Sequence, residues 1–252
     1  MKAFLLGVVA AVMLSNCTRT VQVVTLRGNN VQPVEKEGLV LDNDSLTLRY
    51  NFSSERGTMN VTLLNKLDRP LYVDWKRSSL VIGNTKLDYW QDVSDVNLAM
   101  SGVSHGLYSR YLIGSINGTI SRSEPVGFMP PKTTLTKTQF ILVPDGTVPL
   151  DDRKRTVKTQ RSRIMDHTKP VTVNSYAFGA DQSPLKFRSY LTLATDKDFK
   201  DEFHIDTKFW ASDVDVLPAD EVIGTVVMQY DGSYSISRPF NKPDGFYIKL
   251  PL

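Results

Sequence analysis

Apolar residues recur at every second position along much of the chain. In SLTLRYNF they are Leu46, Leu48, Tyr50 and Phe52; in TMNVTLLN they are Met59, Val61 and Leu63. That period predicts strands with one buried face. SSERG, between the two, supplies turn residues, so the pair predicts a hairpin with a slightly long loop. SSLVI and TKLDYW are separated only by Gly83-Asn84, a two-residue connection that tolerates positive φ, and they predict a second hairpin. Just upstream, RPLYVDW places Leu71, Val73 and Trp75 on one side, with Pro70 at the strand start.

From about Asp92 to Lys137 the alternation weakens into Ser, Gly, Asn and Thr, and Pro130-Pro131 interrupts any regular pairing. Strand patterns return in TQFILV, PVTVNSYAF, LKFRSYLTLAT, FHIDTKFW and EVIGTVVMQYDG. DDRKRTVKTQRSRIM is the nearest helical candidate, and its apolar face is thin. Many short strands with turn residues between them, and no alternating helices, predict an all-β antiparallel β-sandwich of immunoglobulin-like type with an irregular Ser/Gly/Pro-containing insertion. The sandwich occupies 38–252, as one unit or as two sub-domains meeting near residue 137.

The first residues follow a different logic. MKAFLLGVVAAVMLSNC has a positive start at Lys2, an apolar run from Ala3 to Leu14, and small or polar residues at its end. Those are the three parts of an export signal, and the run is too short to cross a bilayer. LSNC resembles the lipobox of bacterial lipoproteins, in which a Leu stands three before a cysteine that is lipidated and becomes residue one. Leu14, Ser15 and Cys17 match, and Asn16 departs from the usual small residue. Cys17 is the only cysteine in the chain, so it has no internal disulfide partner, and lipidation would consume its thiol. The expected organisation is a signal peptide at 1–16, a lipidated tether at 17–37 and the domain beyond.

Formal charge is +3, too small by itself to draw the chain to nucleic acid. Basic residues do concentrate in one segment, 151–170, with Arg153, Lys154, Arg155, Lys158, Arg161, Arg163 and Lys169 against three aspartates. Without interleaved aromatics it reads as a solvated loop, with anionic lipid or glycan phosphate as the functional alternative.

Three longer stretches, RPLYVDWKRSSLVIG, SRSEPVGFMPPKTTL and SPLKFRSYLTLATDKDF, the last followed by FW, resemble recurring segments of an uncharacterised lipoprotein family of the Bacteroidota. The resemblance implies an exported, lipid-anchored, strand-rich domain and no particular activity.

Candidate chemistry is sparse. GVSHG, Gly102 to Gly106, fits the G-x-S-x-G elbow of serine hydrolases and would make Ser104 a nucleophile, with His167 or His204 as base beside Asp166 or Asp206. His105, His167 and His204 are too far apart in sequence for a ligand motif, and DNDS and DVD complete no calcium loop, so no metal or other cofactor is expected. Asn51, Asn60 and Asn117 begin N-x-Ser/Thr triplets, read here as strand and turn residues. Aromatics are the softer candidates for ligand binding: Tyr89, Trp90 and Trp210 could stack on sugar rings, and alternation predicts that one of the adjacent pair Tyr89-Trp90 is exposed.

These features favour a non-enzymatic, membrane-anchored interaction or structural module of the cell envelope, with an envelope protein or a glycan as partner. A serine hydrolase built on Ser104 and a cell-wall binding module are the alternatives. CTRTVQVV carries no carboxylate next to Cys17, and lipoproteins that stay in the inner membrane or reach the cell surface typically have one nearby. An outer-membrane, periplasm-facing anchor is therefore the expectation.

Overall fold

The computed structural model describes residues 19–91, 94–104, 112–122, 124–162, 170–224, 226–228, 230, 234–236 and 238–251. Cys17, His105, Asp166 and His167 lie outside them. The first seven strands are β1 (Thr20–Gly28), β2 (Gln32–Val34), β3 (Gly38–Asp42), β4 (Leu46–Asn51), β5 (Thr58–Asn65), β6 (Leu71–Ile82) and β7 (Thr85–Asp88). Next come β8 (Ser94–Ser104), β9 (Leu112–Arg122), β10 (Val126–Met129), β11 (Thr134–Ile141), β12 (Thr156–Arg161) and β13 (Pro170–Ala177). The last are β14 (Lys186–Ala194), β15 (Glu202–Pro218), β16 (Val226–Met228), β17 (Tyr234–Ile236) and β18 (Gly245–Lys249), with one short helix, α1 (Asp220–Ile223), between β15 and β16.

Two antiparallel sheets face each other, making the fold an all-β sandwich. The larger, nine-stranded sheet runs β10-β6-β14-β15-β1-β18, with β7 beside β6 and β13-β12 beside the second half of β15. The smaller has five strands in the order β11-β5-β4-β3-β2. Both hairpins expected from the sequence are present: β4 pairs with β5 and β6 with β7. The inward positions read from alternation, Leu46, Leu48, Tyr50, Phe52, Met59, Val61, Leu63, Leu71, Val73 and Trp75, form much of the core. Against them pack Val24 and Leu26 of β1, Leu191 and Leu193 of β14, Phe209 of β15 and Phe246 of β18.

Four expectations are corrected. Residues 17–37 are not a tether as a whole: β1 starts at Thr20 and lies between β15 and β18, with Val21, Val24 and Leu26 fully buried. The run VQVVTL was already a strand, and its partners, about two hundred residues away, could not be seen beside it. The chain does not divide near residue 137, because β6 pairs with β14 and β1 with β15, so strands from both halves share one sheet. The stretch from 92 to 137 is more regular than its composition suggests. It holds the paired strands β8 and β9, then β10, which pairs with β6 and ends just before Pro130. Finally, the helical candidate is a single 3-10 turn, Asp152–Lys154, followed by the fully exposed strand β12, which pairs with β13.

Several buried polar groups in the core are paired across the fold. The Gln22 side chain donates to the Val148 carbonyl and accepts from the Val148 amide, both at 2.9 Å, extending the sheet pattern to a loop. Asn65, with no exposed surface, donates to the carbonyls of Arg69, Met129 and Pro130 and accepts from Leu67 N–H, tying two turns together. Between the sheets the Tyr50 hydroxyl donates to Ser189 Oγ at 3.3 Å, and the Tyr89 hydroxyl lies 3.1 Å from the same oxygen.

Candidate functional site

The outer face of the nine-stranded sheet follows from alternation in β14 and β15. Phe187, Ser189, Leu191, Ile205, Thr207 and Phe209 point into the sandwich, which sends Lys186, Arg188, Tyr190, His204, Asp206, Lys208 and Trp210 outward. Register sets these side chains in rows: Lys186 beside Trp210, Arg188 beside Lys208 and Val81, Tyr190 beside Asp206.

At one end of this face is a groove of about 490 Å³. Trp210 and Val81 give it apolar walls, and Lys186, Arg188 and Lys208 bring three cations against the single carboxylate of Asp181. The turn at Gly83, with φ +59 and open space around it, forms one rim. Arg188 is held in place: its Nε lies 3.2 Å from Asp206 Oδ1, and its guanidinium sits 5.7 Å above the Tyr190 ring. Tyr190 in turn stacks on His204 at 5.1 Å. Lys186 donates to the Asp181 carbonyl at 2.6 Å, and neither it nor Lys208 makes a salt bridge among the described residues. Positive charge is therefore left unneutralised beside a half-buried indole. This arrangement can stack on a flat ring while its cations take a carboxylate, sulfate or phosphate.

Of the ligand-binding residues expected from sequence, only Trp210 lines this groove. Tyr89 is a correction: it is 1% exposed, lies between Trp75 and Phe140, and spends its hydroxyl on Ser189. Burial raises the ionisation of that phenol far above the ordinary tyrosine range. Alternation failed for Tyr89-Trp90 because β7 ends at Asp88. Trp90 is half-buried against the core with Lys76 Nζ 5.7 Å from its ring, and it does not line the groove. Lys186, Arg188 and Lys208 were missed, although the outward positions of LKFRSY and TKFW carry their signal.

The elbow reading of GVSHG is not supported by its surroundings. Ser104 is the last residue of β8, opposite Leu112 of the antiparallel strand β9, and an elbow needs a strand entering and a helix leaving. Of its proposed partners, the two among the described residues are engaged elsewhere: Asp206 pairs with Arg188, and His204 Nε2 is 3.7 Å from Glu202. DNDS is a turn, in which Asn43 Oδ1 accepts from the Ser45 and Leu46 amides and Asp42 pairs with Lys66. Among the described residues no three His, Cys, Asp or Glu side chains gather to hold a metal ion. In the basic segment, Arg153 is bound to Asp151, Lys154 sits 5.9 Å from the Phe178 ring and Lys158 donates to Ser175.

A larger cavity, about 590 Å³, opens on the same face beyond β1, under α1 and Phe240. Three of its charged side chains are engaged, while Asp215 Oδ1 is buried without a hydrogen-bond partner among the described residues. Glu221, 3% exposed, accepts from Ser162 at 2.6 Å, Arg238 donates to the Asp220 carbonyl, and Lys242 pairs with Asp244. Val21, Leu217 and Tyr247 form a small second core beside it, and the cavity is the seam between the sheet and its cover.

No protein-family model, curated protein or solved structure matches this chain, so its functional reading rests on the groove itself.

Proposed function

We propose that this chain is a non-enzymatic binding module of the bacterial envelope, lipid-anchored through Cys17 on the periplasmic side of the outer membrane, whose Trp210 groove takes an acidic polysaccharide. The observation that carries the reading is the Trp210 indole flanked by Lys186, Arg188 and Lys208 in an open groove. Aromatic faces stack on the C–H faces of sugars, and the ammonium groups of the two lysines, neither of them in a salt bridge among the described residues, match carboxylates spaced along a chain.

The position of β1 fits this role. Only residues 18 and 19 separate Cys17 from β1, so a lipidated Cys17 would hold the domain within about 10 Å of the bilayer, at roughly 3.5 Å per residue. Trp210 pairs with Arg27, at the far end of that strand from the anchor. Arg27 is seven residues along β1 from Thr20, which separates the groove from the anchored end of that strand by about 24 Å.

Titration of the soluble domain, starting at Arg19, with polygalacturonate should quench tryptophan fluorescence, with neutral dextran as control. Binding should weaken as salt screens the lysines, and Trp210→Ala should lower affinity at least tenfold, on the order of 1.4 kcal/mol. Equal affinity for dextran and polygalacturonate, or an unaffected Trp210→Ala, would refute the assignment.

A further inference from the structure

We infer that the outer sheet face is one continuous binding strip, with Tyr72, Phe128 and Phe199 as a second subsite for the same polysaccharide chain that enters the Trp210 groove. The inference rests on the function proposed above and adds to it the length of ligand recognised.

Tyr72 of β6 and Phe128 of the short edge strand β10 are register partners on the outer face, their rings 5.4 Å apart. Phe128 is 53% exposed, among the largest apolar exposures in the described residues. Phe199 comes from the loop between β14 and β15 and meets Tyr72 edge-on at 6.5 Å. It has φ +55, a conformation that bulky side chains rarely adopt. The loop is fixed around it: the Asp196 carboxylate accepts from the backbone amides of Asp198, Lys200 and Asp201 at 3.0 to 3.1 Å, and the Arg77 guanidinium lies 5.1 Å from the ring. The backbone N–H bonds hold that carboxylate below its usual range, keeping it charged as an acceptor. The exposed Phe128 and the half-buried Tyr72 and Phe199 thus form one aromatic cluster, with Phe199 held against the other two by a braced loop.

The two ends are joined by hydrogen-bonding side chains. Arg77 bridges Asp74 and Glu202 at 2.6 Å each, followed along the face by the His204-Tyr190 stack and by Arg188 on Asp206. Ala194, in the row of Tyr72, and Lys186, in the row of Trp210, lie eight residues apart on β14, about 27 Å at 3.3 to 3.4 Å per residue. A path of that length, apolar at both ends and lined by ion-paired donors and acceptors between, suits an oligomer of sugar rings. A stable protein partner would need a broad patch, on the order of 800 Å² per side with an apolar centre. Here the middle of the face is made of ion pairs and has no such apolar centre.

The test compares short and long oligogalacturonides by calorimetry on the soluble domain and on the Phe128→Ala/Phe199→Ala and Trp210→Ala variants. Wild type should bind the long oligomer roughly tenfold more tightly than the short one, on the order of what one buried aromatic contact provides. Phe128→Ala/Phe199→Ala should abolish that gain and leave short-oligomer affinity unchanged, whereas Trp210→Ala should weaken both. Circular dichroism confirms that each variant is folded, and Phe128→Ala alone removes an exposed side chain if the double variant is not. No gain with length, or a gain that survives loss of Phe128, overturns the second subsite and leaves the Trp210 reading standing. Failure of wild type to bind either oligomer overturns both.

Discussion

Replacing Leu26 by Ala tests whether the chain that follows Cys17 is linker or core. Leu26 has no exposed surface, pairs with Ala211 in β15 and packs in the main cluster. A buried Leu→Ala change costs about 2 to 5 kcal/mol, the transfer of the lost carbons plus the cavity they leave. In a tether the same change would fall within about 0.5 kcal/mol. For a domain with a urea m-value of about 3 kcal/mol per M, a cost of about 3 kcal/mol lowers the midpoint by about 1 M, well beyond the error of the measurement. Val34→Ala is the internal control, since Val34 is 40% exposed in the three-residue strand β2 and should leave the midpoint nearly unchanged. The measurement is equilibrium urea unfolding of the soluble domain by tryptophan fluorescence and circular dichroism, with coincident transitions as the check on two-state behaviour. A Leu26→Ala midpoint no different from that of Val34→Ala would mean that residues 20–28 are outside the cooperative core, and the central place given to β1 would be wrong.

Two further outcomes follow from the core. Burial pushes the Tyr50 phenol up to about 12, against a smaller opposing effect of its bond to Ser189. Its neutral form is therefore favoured by folding, so the contribution is complete below the unfolded value near 10 and is lost as pH rises from there toward 12. Stability measured across that window should fall, with a smaller decline in Tyr50→Phe; an identical decline would remove Tyr50 as a cause. Gly38 has φ +103, and a Cβ there would run into the Tyr50 carbonyl oxygen. Gly38→Ala should cost about 2 kcal/mol or more, because strain and a backbone clash act together. A thermal midpoint within a degree of wild type would contradict the tight β3-β4 approach.

The candidate site was partly legible in the sequence. Trp210 stood out as a large aromatic in a strand pattern, but whether Tyr89 or Trp90 was the exposed neighbour depended on where β7 stops, and alternation carries no information past a strand end. Lys186, Arg188 and Lys208 look like ordinary outward residues of LKFRSY and TKFW. They become a site only because β14 and β15 are adjacent and in the register that puts Lys186 beside Trp210. Tyr72, Phe128 and Phe199 come from three separate segments, and no local pattern connects them.

The sequence by itself determined many of the strands, their inward faces and two hairpins, because period-two alternation and turn residues act between near neighbours. It also carried the lone cysteine and its apolar leader, which bear on location and not on packing. Tertiary structure decided which strands are central. VQVVTL near the beginning is held between β15 and β18 from the far end of the chain, and TVKTQR became an edge strand because β13 offered it a free side. Backbone hydrogen bonds between strands are made to whichever partner satisfies them, at any separation along the chain. The face that results, with its cations and aromatic rings in rows, is a property of that pairing.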